Sequence, residues 1–80
     1  SGQKDWGIDI GTYPNRFTAD KILIKTALSE MIALEGSLRK VVKNKYGFRA
    51  TFLGLSESKA DQACERLRNR NISCDIISPG

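Results

Sequence analysis

Trp6, Ile8 and Ile10 alternate with Gly7, Asp9 and Gly11, the period of two that marks a strand with one buried face and one face of small or polar residues. The stretch Gly11–Thr12–Tyr13–Pro14–Asn15 interrupts that alternation as a loop. Beyond it the period lengthens. Ala19, Ile22, Leu23, Ala27 and Met31 follow helical spacing, Ile24, Leu28 and Ile32 widen the stripe, Thr18 stands where a cap belongs, and Gly36 stands where a helix ends. Leu38–Val42 is short and β-branched, and Asn44–Lys45–Tyr46–Gly47 supplies turn chemistry. Phe48, Ala50 and Phe52 then alternate with Arg49, Thr51 and Leu53, which completes a hairpin. Ser56 or Ser58 caps a second helix with Ala60, Ala63, Cys64 and Leu67 on one face, and Ile72, Cys74 and Ile76 alternate as a closing strand. By parity Trp6 and Phe52 belong to the core, while Phe17 and Tyr13 close the first loop onto the helices.

The predicted order is βαββαβ, and it carries a faint internal echo. Ile10–Gly11 precedes a helix with Ala19, Ile22 and Leu23, and Leu53–Gly54 precedes one with Ala60, Ala63 and Cys64. Two βαβ halves with right-handed crossovers give a four-stranded antiparallel sheet, first and third strands central, both helices on one face. This is an α+β, ferredoxin/RNP-like fold, and its other sheet face is open. On that face Arg49 stands beside Asp9 and Thr51, opposite in parity to Ala50 and Phe52.

Eighty residues make one domain, read as 6–78 behind a flexible segment 1–5. The opening Ser1–Gly2–Gln3–Lys4 has no Met and no hydrophobic signal core, as expected of a module taken from a longer parent chain. No apolar run approaches the roughly 18–20 residues of a membrane span. The chain has no histidine, so Ser-His-Asp and Cys-His mechanisms and the commonest zinc nitrogen ligand are absent together. Asp9 with Asp5 or Asp20 shows no spacing that marks two acids sharing a pocket, and Cys64 has no base to pair with. A non-catalytic chain with no metal or cofactor is expected.

Charge is uneven. Between Gly36 and Gly54 lie Arg39, Lys40, Lys43, Lys45 and Arg49 with no acid; the chain is +4 overall, so the remainder holds eight cations against nine acids. The hairpin is where an anionic partner is attracted, although lysines on an edge strand also block edge-to-edge pairing. A single-stranded RNA-binding, RRM-like domain is the alternative reading of such a sheet. Only Tyr46–Gly47–Phe48 fits the third-strand aromatic signature of those domains, and Asp9 would repel phosphate, so no nucleic acid is expected as partner.

Trp6–Gly7–Ile8–Asp9–Ile10–Gly11–Thr12–Tyr13, followed by Asn15 and Ala19, resembles the opening of the sporulation-related repeat (SPOR) domain. Phe48–Arg49–Ala50–Thr51–Phe52–Leu53–Gly54, then Ala60, Ala63–Cys64, Leu67 and Cys74, is similar to the second half of SPOR modules appended to bacterial D-alanyl-D-alanine carboxypeptidases. The resemblance spans almost the entire chain. It implies a module of the bacterial periplasm and cell envelope that binds peptidoglycan glycan strands stripped of stem peptides, as at the division septum. It implies a site on the open sheet face, which falls here on Asp9, Thr12, Phe48, Arg49 and Thr51. Aspartate replaces the family's glutamine at Asp9, and threonine replaces its second arginine at Thr51.

Sugar binding calls for a shallow polar face beside an aromatic platform. Asp9, Thr12, Arg49 and Thr51 provide the first, and Tyr13, Tyr46 or Phe48 the second. Removing a stem peptide leaves the lactyl group of muramic acid as a free carboxylate, which an arginine can grip in bidentate fashion; Arg39, Lys43 and Lys45 then act as electrostatic support. Cys64 shares the inward face of the second helix and Cys74 the inward parity of the last strand, so in an oxidising envelope the two are expected to form a disulfide.

Overall fold

The computed structural model describes residues 3–80, so the first two residues of the segment read as flexible lie outside the described residues. Strand β1 (Trp6–Tyr13) leads to helix α1 (Arg16–Ser29), the hairpin β2 (Leu38–Asn44) and β3 (Gly47–Leu55), helix α2 (Glu57–Asn69) and strand β4 (Asp75–Ile77). The antiparallel sheet runs β2-β3-β1-β4. The first and third strands are central, and the α+β, βαββαβ arrangement read from the sequence is the one observed.

The alternation that predicted the strands also builds the core. Ile8, Ile10, Ala50 and Phe52 are buried together with Ala19 and Leu23 of α1 and Ala60, Ala63, Cys64 and Leu67 of α2. Each of the larger side chains contributes roughly 1.5–3 kcal/mol by leaving water. Trp6 is only half-buried at the core's margin. Phe17 does not close onto the helices at all: it is 76% exposed. Tyr13 does pack against the core, its hydroxyl donating to the Ile10 carbonyl at 2.9 Å.

Several boundaries differ from the sequence reading, each for a local reason. Gly11, Thr12 and Tyr13, read as loop, belong to β1, because one extra residue at Gly11 lets Thr12 and Tyr13 go on pairing with Arg49 and Phe48. Asn15, not Thr18, caps α1. Its extended backbone lets Oδ1 accept the Thr18 N–H at 2.8 Å, so the helix starts earlier. That helix stops at Ser29 instead of running to Gly36, because Glu30 turns inward to meet Arg66 and Arg70 while Ala33 and Leu34 of the following turns enter the core. The hairpin's first strand continues past Val42 to Asn44, whose side chain accepts the Tyr46 N–H within the turn. The closing strand is only Asp75–Ile77. Ahead of it, a disulfide ties Cys74 to Cys64 of α2 with a Cα separation of 5.3 Å, and the Arg68 guanidinium holds the Cys74 carbonyl, so the chain meets β1 only from Asp75. The predicted pairing of the two cysteines is thus present. Ser56 caps α2, accepting the Lys59 N–H.

The echo between the two halves has a structural counterpart. The β1–β3 register slips twice: once where Gly54 (φ 79°) is passed over between Leu53 and Leu55, and once between Asp9 and Thr12, where Gly11 (φ 121°) is the extra residue. Each central strand therefore spends one left-handed glycine on a bulge near its end.

Candidate functional site

Strand register places side chains on the helix-free face in three rows. Ile77, Gly7, Leu53 and Leu38 form an apolar row. Asp75, Asp9, Thr51 and Lys40 form the next, acidic at the β4 end and basic at the β2 end. Thr12, Arg49 and Val42 form the third. Strict alternation would have turned Thr12 to the side of Ile8 and Ile10; the extra residue at Gly11 reverses it and sets it beside Arg49.

Asp9 organises this face. Oδ1 accepts the Gly11 N–H at 2.8 Å, pinning the bulge, and Oδ2 accepts from Arg49 Nε at 2.9 Å. Both carboxylate oxygens are engaged, so Asp9 aims the arginine rather than offering itself to a ligand. Arg49 is a third exposed, and among the described residues its two Nη groups have no hydrogen-bond partner. Asp9 also acts on the far side of its strand. Burial first, and the Asp9 charge second, push the Tyr13 phenol above its ordinary pKa of 10.0.

The five residues carried over from the family pattern do not converge. Asp9, Thr12 and Arg49 share the open face. Thr51 belongs to that face by register but is 1% exposed, and its hydroxyl donates to the Lys40 carbonyl at 2.7 Å across the β2–β3 pair. Phe48 lies opposite Tyr13, on the helix side. Its ring has the Arg16 guanidinium 5.5 Å and the Lys43 ammonium 5.9 Å from its centre. Among the described residues, no aromatic side chain of the paired strands stands on the open face.

The hairpin cations divide in the same way. Arg39 and Lys43, opposite Phe52 and Phe48, take the helix side; Lys40 and Arg49 take the open face; Lys45 is in the turn, over the Tyr46 ring at 5.2 Å. Lys40, counted among the hairpin cations but not among the supporting residues, and Asp75, given no role, are the further open-face charges. The alternation of Lys40 with Val41 was a signal for the first. For the second there was none, because the length of β4 is set by the disulfide and by Arg68.

No family model, curated protein or solved structure matches the chain.

Proposed function

We propose that the chain is a peptidoglycan-binding module that recognises glycan strands lacking stem peptides and directs its parent protein to the division septum. The observation that carries this reading is Arg49: its Nε is fixed by Asp9 while, among the described residues, both Nη groups are unclaimed and no helix covers this face of the sheet. A guanidinium held in this way suits a carboxylate that recurs along an extended polymer, as the unmasked lactyl groups of muramic acid do. Thr12 beside it supplies a hydroxyl, and Val42 and Leu53 supply apolar edges for the C–H faces of a sugar. The platform role given to Phe48 has no support on this face, and aliphatic contact replaces it here.

The Cys64–Cys74 disulfide fits an oxidising envelope compartment, and no helix among the described residues is long and apolar enough to cross a membrane. An RRM-like mode has less support, since it needs bases stacked on open-face aromatics, and this face offers Asp9 and Asp75 instead.

Pelleting with purified sacculi tests the reading. Binding should rise when an amidase strips the stem peptides. It should fall by about tenfold or more for Arg49→Ala, the weight of a lost charge-assisted contact, and less for Arg49→Lys. Failure to pellet with stripped sacculi, together with salt-sensitive binding of single-stranded RNA, would transfer the function to nucleic acid.

A further inference from the structure

Helix α1 is apolar on two sides. Ala19, Leu23 and Thr26 face the core; at about 100° per residue, Phe17, Ile24 and Leu28 fall roughly opposite, in water. Leu28 is 67% exposed, and Met31 and Ile32 of the following turn, 67% and 83% exposed, extend the strip. A run of large exposed side chains on one element marks a contact surface, whereas isolated ones do not.

The strip ends in a cavity of about 380 Å3 between the end of α1 and α2. Leu28, Met31 and Ile32 make its apolar wall, and Lys59, Gln62 and Arg66 its polar wall. That polar wall is one flank of α2, on which Lys59, Gln62, Arg66 and Arg70 recur at helical spacing while Asp61 and Glu65 fall on the other flank. Glu30, also in the wall, is buried; Arg66 donates to its Oε1, while Arg70 is ion-paired with Oε2, which accepts no hydrogen bond among the described residues, and the two arginine side chains remain 59% and 49% exposed. Lys21 and Lys25 border one edge of the strip on α1; Asp20, the one acid of α1, borders the other edge beside Phe17 and Ile24, about 12 Å along the helix from Leu28 and the cavity.

From this we infer that the strip and cavity dock an acidic amphipathic peptide segment, one apolar side chain entering between Leu28 and Ile32 and flanking carboxylates meeting Lys59, Arg66, Lys21 and Lys25. The charge distribution selects this occupant. A second copy packed antiparallel on α1 would bring like flank to like flank, setting Lys21 and Lys25 against themselves. A membrane surface would reach the ridge of the strip but leave the recess beside it unfilled. A helical segment laid in a groove satisfies both features. This surface lies on the helix side and is independent of Arg49 on the open face.

Selection from a random 14-residue peptide display library on the disulfide-bonded chain tests it, with Leu28→Ser/Ile32→Ser as counter-bait and circular dichroism confirming that the counter-bait folds. Enriched peptides should place apolar residues at helical spacing with Asp or Glu between them. A synthetic representative should bind at least tenfold more weakly to the counter-bait and to Lys25→Glu/Lys59→Glu, with unchanged binding to Arg49→Ala. Enrichment of neutral or basic sequences, or equal binding to the counter-bait, would overturn the inference. So would flotation with phosphatidylglycerol vesicles that Leu28→Ser/Ile32→Ser abolishes while no peptide is enriched, or concentration-dependent dimerisation that the same variant abolishes.

Discussion

Arg66 Nε lies 2.5 Å from a Glu30 carboxylate oxygen that the fold has almost entirely withdrawn from water. The two partners are unequal: Glu30 is 3% exposed as a residue, whereas the arginine side chain is more than half exposed. Removing the carboxylate returns Arg66 and Arg70 to solvent. Removing the arginines strands a buried charge, the more costly loss. Glu30→Gln should therefore cost about 1 kcal/mol, and Arg66→Met/Arg70→Met about 3 kcal/mol. Urea unfolding with the disulfide intact measures both, and the reverse order would refute the desolvation argument.

The bulge at Gly11 is a second sensitive point. Its φ of 121° is closed to other side chains at low cost, and an added Cβ would meet the Tyr13 hydroxyl at 3.1 Å. Gly11→Ala should destabilise the chain by about 1–3 kcal/mol. Because the bulge sets the side on which Thr12 emerges, the same variant should also weaken sacculus binding. Loss of stability with undiminished binding would remove Thr12 from the site.

Tyr13 gives the chain an alkaline weakness. Its phenol titrates above the ordinary value of 10.0 in the folded protein, so the folded state holds the proton more tightly than the unfolded one. Stability from this group is complete below pH 10 and is lost as pH rises through the raised value. Tyr13→Phe should cost about 1 kcal/mol at neutral pH, through the missing bond to Ile10, and should flatten the stability decline above pH 10. Thermal melts across pH 8–11 for both chains check the sign.

Reducing the Cys64–Cys74 bond, which closes a loop across a sequence separation of 10, should lower stability by roughly 2–3 kcal/mol in the chain-entropy model. Urea midpoints with and without dithiothreitol, beside a Cys64→Ala/Cys74→Ala variant, give the value. Identical midpoints would show that the native contacts of Cys74 hold β4 without the bond.

What the sequence disclosed was parity. Ile8, Ile10, Ala50 and Phe52 announced a buried face, and Ala60, Ala63, Cys64 and Leu67 the helix stripe against it, so the strand order followed. What it concealed was every place where parity slips. Gly11 and Gly54 were visible as glycines, but nothing local says that each adds a residue to a ladder. The side on which Thr12 emerges was therefore hidden. Phe48 shows the opposite case: its alternation with Arg49 already placed it on the core side, where the register keeps it, away from the face that carries Asp9, Thr12 and Arg49. The outer apolar side of α1 was legible only as a wide stripe, because spacing alone does not say which part of a stripe the sheet will cover.

The three residues of β4 separate β1 from the sheet's margin. They pair with Gly7, Ile8 and Asp9, the strand segment that ends on the carboxylate steering Arg49. Were that short ribbon to peel away, the outer amides and carbonyls of Gly7–Asp9 would lie bare, and the chain would gain a second sticky border with none of the lysines that guard β2. The covalent link to α2 is thus a safeguard against self-adhesion as much as a source of stability, and the strand it guards is the one that carries Asp9.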